Sequence, residues 1–287
     1  QVGVFRKVPL NRVTVSSKYQ LLQELLRIHK ENWITSKALN RDMTIAPCNS
    51  TNCVGYTLEA ELGVSRNGFA EPDFLGWEVK ASQVPDYSKD YLSKVLTLFT
   101  PEPTGGFYRS AGIASFIRRF GYPDKKGRPD RLNFGGVYRA EERHPGTELT
   151  LKLRGFDAKK IEITDPDGAI SLVTDSGEVA AEWGFPTMFD IWNRKHSQAV
   201  YVPAEVRTNP FRQYRYGKTV RLGEGTNFIR LISAIASGKV YYDPGINIKG
   251  ESSSSPKIKP RSQFRTQVKN LPFLYDQMNI VSVTEGI

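Results

Sequence analysis

Between Pro72 and Lys80 the chain reads PDFLGWEVK, which sets Asp73, Glu78 and Lys80 in a run otherwise made of residues that suit a buried strand. Successive strand residues face opposite sides, so Trp77 and Val79 share one face while Glu78 and Lys80 share the other. The apolar face packs into a core, and the acid and the lysine point together into a cleft. Gly76 supplies a kink or bulge between Asp73 and the strand, which lets Asp73 converge on Glu78. Carboxylates that close repel one another unless a divalent cation sits between them, and hard oxygen ligands with open water positions favour Mg²⁺. A lysine beside that cation has its pKa pushed down and can orient or deprotonate a water. Cation and activated water, opposite a surface rich in phosphate-binding charge, point to hydrolysis of a phosphodiester. By itself, Glu-x-Lys is also the pattern of a salt-bridged pair on an exposed strand face.

These residues need elements to position them. SSKYQLLQELLRIHKENW (16–33) reads as a helix with Leu21, Leu22, Leu25, Leu26 and His29 along one side and Ser16 or Ser17 as its cap. His29 on that stripe reads as a packed, hydrogen-bonded histidine. A polar loop follows, NRDMTIAPCNSTNCVG, and then YTLEAELGV, a short helix stopped by Gly63. Beyond the acidic motif, Val95–Phe99 is an apolar strand and SFIRRFGYP closes a short helix. Strands are expected at ELTLKLRGF, KIEITD, AISLVT and QAVYVPAEVR, and NFIRLISAIASGKV reads as an amphipathic helix ended by Gly238. The serine run GESSSSPK is a flexible loop, and His144 and His196 stand where nothing nearby singles them out.

At 287 residues the chain has room for one large domain or two modest ones, and no stretch is apolar for long enough to span a membrane. The opening QVGVFRKVPLNRV lacks both the apolar core of a secretory signal and an initiator Met, so a processed chain, or a piece of a longer one with a further N-terminal domain, is expected. Cys48 and Cys53 have no second pair and no nearby His to complete a zinc site, and read as reduced thiols of a cytosolic protein. The net charge of +10 gathers in 117–143, 207–221 and 257–269, with aromatics interleaved. Cations neutralise phosphates and aromatic or guanidinium planes pack on sugars and bases, so the mixture suits nucleic acid. An acidic protein or an anionic membrane surface would also answer that charge.

The stretches GYTLEAELGVSRNGFAEPDFLGWEVKAS (55–82) and LTLFTPEPTGG (96–106) resemble the active-site region of the MvaI/BcnI-like restriction endonucleases of the PD-(D/E)XK nuclease superfamily. A fainter likeness continues at FIRLISAIASGKVYYD and SQFR. The resemblance implies an α/β fold: a restriction-endonuclease-like core with a mixed central sheet flanked by helices, and a second lobe that recognises DNA. It places a catalytic core over 1–125, part of whose sheet later strands complete, and the DNA-recognition lobe with the remaining core elements over 126–287. Asp73 and Glu78 would bind Mg²⁺, for which Mn²⁺ can substitute; Lys80 would position the attacking water, and Glu59 would act as an accessory acid. Thr97 and Thr100 would sit on the neighbouring strand, Asp243 and Arg265 at base-reading positions, and Lys259 and Arg261 against DNA. The family's C-terminal histidine has no counterpart in KIKPRSQFR, and the basic stretch 121–143 is longer than its counterpart, which suggests extra DNA contacts there. The implied activity is sequence-specific, Mg²⁺-dependent cleavage of double-stranded DNA in a prokaryotic cytoplasm, by a protein able to work as a monomer and leaving 5′-phosphate ends. A mismatch-repair nickase similar to MutH and a DNA-binding module that does not cut are the alternatives.

Overall fold

The structure is a computed structural model that describes residues 16–66 and 71–284. The opening segment that carries no secretory signal, and residues 67–70 within the resembling stretch, lie outside the described residues. Helix α1 (Ser17–Lys30) begins where Ser16 Oγ accepts the Tyr19 N–H at 3.2 Å, and Leu21, Leu22, Leu25 and Ile28 form its buried stripe. His29 is a packed residue, its Nδ1 2.8 Å from the Tyr216 carbonyl oxygen. Helix α2 (Cys53–Glu61) starts earlier than expected, and Gly63 follows it with φ of 73°. The cysteines are a correction: Cys48 and Cys53 form a disulfide rather than two free thiols. The intervening loop folds back so that their Cα atoms lie 5.7 Å apart, within bridging range.

The central sheet is mixed. Ile34–Thr35, Gln213–Tyr216, Gln198–Arg207, Thr219–Glu224 and Gln277–Ser282 pair in that order, all antiparallel. Glu78–Gln83 joins Gln198–Arg207 in parallel, with Ala199 opposite Glu78 and Tyr201 opposite Lys80. Apolar residues on both faces explain why Gln198–Arg207 reads as a continuous hydrophobic run. On one face Val200, Val202, Trp77 and Val79 pack with α1 and α2 in one buried cluster. On the other, Ala199 and Tyr201 belong to a larger cluster that contains Phe99, Trp192, Phe228 and Leu231.

Around that larger core stand α3 (Gly106–Phe120), kinked at Gly112, then α4 (Phe185–His196) and α5 (Phe228–Ala236), whose Asn227 cap accepts the Arg230 N–H. Helix α4 was not expected from the sequence. Val95–Phe99 is not a neighbour of the acidic strand within the central sheet; it pairs with Phe264–Gln267, which pairs with Val240–Tyr242. The expected strand at KIEITD shrinks to Glu162–Ile163, paired with Phe156–Asp157. Among the described residues no helix is long and apolar enough to cross a membrane.

Candidate active site

Phe74 and Trp77 exchange both of their backbone hydrogen bonds, at 3.0 and 2.8 Å, and leave Leu75 and Gly76 as a two-residue turn. Both turn residues have positive φ, 48° and 87°, which is the type I′ geometry that joins right-twisted strands. Gly76 is therefore the second corner of a hairpin rather than a bulge. The turn brings Asp73, one residue before the Phe74–Trp77 pair, and Glu78, one residue after it, to the same end of the hairpin, near enough for the two carboxylates to repel. The gap between the two acids is thus the length of one tight turn. Asp73 Oδ2 also accepts the Val79 N–H at 2.9 Å, which ties the acid to the strand that carries the other two residues. Beneath it Trp77 is fully buried, its Nε1 donating to Ser17 Oγ at 3.3 Å, so α1 anchors the hairpin from behind.

Glu78 is 1% exposed. Its Oε1 is paired with Lys80 Nζ, whereas its buried Oε2 has no hydrogen-bond partner and lies 3.5 Å from Lys195 Nζ. Burial raises the Glu78 pKa and Asp73 adds to that, while Lys80 and Lys195 pull the other way; the net shift is upward. For Lys80, burial lowers the pKa, but the charge and hydrogen bond of Glu78, with Asp73 and Glu59, outweigh it. The protein's own carboxylates thus push Lys80 up, while the downward push expected of a neighbouring cation is a separate effect that these side chains do not supply. Glu59, in the second turn of α2, is raised to about 7 by burial first and then by repulsion from Asp73 and Glu78, against the pull of Lys80 and Lys195. All four residues expected to act together do meet: Asp73, Glu78, Lys80 and Glu59 influence one another electrostatically across α2 and the hairpin.

A cleft of about 830 Å³ opens beside them. Glu59 and Lys80 line it together with Lys94, Lys259, Arg261 and Arg265, one acid against five cations. Thr97 and Thr100 reach the same space from the second sheet. Phe264 is fully buried and its neighbour Arg265 faces the cleft, as alternation along a strand requires. Asp243 does not line the cleft; its Oδ2 accepts from Arg265 Nη1 at 2.6 Å, so the acid and the arginine expected to read separate bases are one ion pair. Half of the cations in 121–143 are paired with acids of the chain itself, Arg128 and Arg131 with Asp124 and the exposed Arg143 with Asp175 and Glu148.

Two residues, Lys94 and Lys195, escaped the sequence reading, and a third, His196, was named there without a role. Lys94, at the start of its strand, faces the cleft near Arg265, and among the described residues it has no ion pair. Lys195 and His196 end α4, and the buried His196 ring stacks on Trp192 with centroids 4.2 Å apart. His196 has its pKa lowered well below the ordinary value by burial and then by Lys80 and Lys195. The signal for the helix was present: Phe185, Met188, Trp192 and His196 fall at helical spacing, and Pro186 suits a first turn.

The sequence matches the model of the MvaI/BcnI restriction endonuclease family over residues 22–275. The fold is similar to the solved restriction endonuclease MvaI–cognate DNA substrate complex, with a TM-score of 0.67 and 16% identity over 94% of this chain and 100% of that one. Restriction endonuclease MvaI in the absence of DNA aligns over 94% of this chain and 99% of that one, at 16% identity and a TM-score of 0.49. No curated protein matches the chain.

Proposed function

This chain belongs to the MvaI/BcnI restriction endonuclease family, and from that premise we propose that it hydrolyses double-stranded DNA at a specific sequence with Mg²⁺, leaving 5′-phosphate ends. The observation that carries the reading is the hairpin that brings Asp73 near Glu78, with Lys80 on the same strand, at the wall of a cleft whose charged residues are five cations and one acid. Among the described residues no three His, Cys, Asp or Glu groups gather as a metal site. Mg²⁺ does not need them, since it is commonly held by one or two carboxylates with water and substrate phosphate filling the rest. The buried, unpartnered Glu78 Oε2, and the burial and mutual repulsion that lift Glu59 and Glu78, are what a hard cation would relieve, so Asp73 and Glu78 fit it. When bound, Mg²⁺, or Mn²⁺ in its place, supplies charge stabilisation at the phosphate and a more acidic water.

The protein's own groups do the positioning. Lys80 Nζ, held by Glu78, orients a water in line with the phosphorus. The water oxygen forms a bond to phosphorus, the bond from phosphorus to the 3′ oxygen breaks, and the phosphate stays on the 5′ side. Glu59, with its pKa near neutrality, is placed to take up the proton that the water loses. Lys94, Lys259 and Arg261 hold backbone phosphates, while Arg265, oriented by Asp243, reads a base edge in the major groove. The protein acts as a monomer that cuts one strand at a time, in a prokaryotic cytoplasm. Incubation with a mixed-sequence plasmid and Mg²⁺, followed by sequencing of the ends, tests the reading. Discrete fragments with 5′-phosphates support it, nicks alone indicate a repair nickase, and intact but gel-shifted DNA indicates a module that binds without cutting.

A further inference from the structure

We infer that Lys195 controls how tightly the Asp73–Glu78 pair takes a divalent cation and makes that binding conditional on DNA. The inference rests on the cation role proposed above for those acids. Lys195 lies in the last turn of α4, and only His196 and Ser197 separate it from the strand whose Ala199 pairs with Glu78. The buried His196 ring, stacked on Trp192 and edge-on to Phe99, fixes that short connection. Lys195 therefore leaves the helix at a fixed point of the backbone, and its Nζ lies 3.5 Å from Glu78 Oε2. That distance is beyond a good hydrogen bond but well within reach of a unit charge. Among the described residues Glu78 is the one acid within ion-pair distance of Lys195, whose charge also reaches Glu59, and the Lys195 side chain keeps 23% of its surface exposed.

One buried carboxylate thus faces two ammonium groups, with Lys80 on Oε1 and Lys195 beside Oε2. Lys80 is hydrogen-bonded to Glu78 and lines the cleft where water and phosphate would meet it. Among the described residues Lys195 has no side-chain hydrogen bond to lose, and what it offers is positive charge next to the oxygen a cation would use. A divalent cation entering there is opposed by that charge. A DNA phosphate brought into the cleft carries the negative charge that offsets it, so DNA and cation each favour the binding of the other, and to the same degree. Lys195 acts through Glu78 and is a positioning residue.

The test is to titrate Ca²⁺ into the free protein by calorimetry and to measure duplex affinity by fluorescence anisotropy in Ca²⁺ and in EDTA. Lys195→Met should tighten Ca²⁺ binding to the free protein by about tenfold, the order expected when one nearby, partly screened charge is removed. It should also shrink the ratio of DNA affinities with and without Ca²⁺, whereas Lys195→Arg keeps both at the wild-type values. Damage to the fold would weaken Ca²⁺ binding, so tighter binding separates control of affinity from a structural role. Unchanged or weaker Ca²⁺ binding in Lys195→Met overturns the inference while leaving the cation site standing. A wild-type protein that takes no Ca²⁺ with or without DNA overturns the cation site itself, and Lys195 with it.

Discussion

Replacing Glu78 by Gln removes one negative charge from a side chain that is 1% exposed, and leaves behind Lys80 and Lys195 with side chains 22% and 23% exposed. Breaking a buried ion pair from one side typically costs about 3–5 kcal/mol, because the remaining charge is desolvated without compensation. Each lysine keeps roughly a fifth of its surface in water, and the neutral Gln avoids the burial cost that raises the Glu78 pKa, so the net loss falls below that range, to about 1–3 kcal/mol. That is a large share of the roughly 5–15 kcal/mol that holds a domain folded. If Lys80 is the charge left stranded, Lys80→Met added to Glu78→Gln should recover part of the loss. The double variant should then be more stable than the sum of the two singles predicts, by about 1–3 kcal/mol. The measurement is urea denaturation in EDTA, which keeps other cations from replacing the lysines, with stability compared at equal slopes. A cost below about 1 kcal/mol for Glu78→Gln, or singles that simply add, would refute the view that Glu78 is the buried counter-ion of these lysines.

Asp73→Ala should abolish cutting while leaving DNA affinity in EDTA within a few-fold, and Lys80→Ala should slow turnover by orders of magnitude without loss of Ca²⁺ binding, since affinity comes chiefly from phosphate contacts elsewhere; near wild-type cutting by either variant shows that the acid or the lysine has been misassigned. Arg265→Ala should cost roughly 1–3 kcal/mol on cognate duplex alone, and Asp243→Ala, which frees the arginine, should blur the same preference. Arg261→Ala should instead weaken cognate and scrambled duplexes alike and lower the salt slope, so an unchanged cognate-to-scrambled ratio in Arg265→Ala would place recognition elsewhere. His196 is held neutral in the fold, with its pKa below the ordinary value near 6.5 that the unfolded chain retains, so as the pH falls below that value the unfolded chain takes a proton that the folded one refuses. Stability should fall there by about 1.4 kcal/mol per pH unit from this group, and His196→Phe should flatten that part of a stability curve measured from pH 7 to 5; an identical curve would show the histidine titrating freely.

Cys48 and Cys53 show a limit of spacing as evidence. Two cysteines five residues apart are compatible with free thiols or a bridge, and only the fold of the loop between them decides. Arg212 on the far hairpin contributes to that fold, donating to the Asn49 and Ser50 carbonyl oxygens at 3.3 and 3.0 Å. Thr97 shows the same limit differently. Its strand was legible from its apolar run, but membership of a second sheet rather than the central one depends on partners more than a hundred residues away.

What the sequence determined alone is whatever near neighbours control. The meeting of Asp73 and Glu78 needs only a two-residue turn whose length sets the register, so it was legible in PDFLGWEVK, as were the stripe of α1 and the alternation that buries Phe264 and turns Arg265 outward. What only the tertiary structure decided is which distant charges surround those acids. Lys195 reaches Glu78 because Gln198–Arg207 runs parallel to Glu78–Gln83 with Ala199 opposite Glu78, and Asp243 and Arg265 neutralise one another because their strands lie side by side. A hairpin's register follows from its own few residues, whereas a charge pair between distant elements follows from how whole sheets bury their apolar faces, and the polar residues it brings together need carry no local pattern of their own.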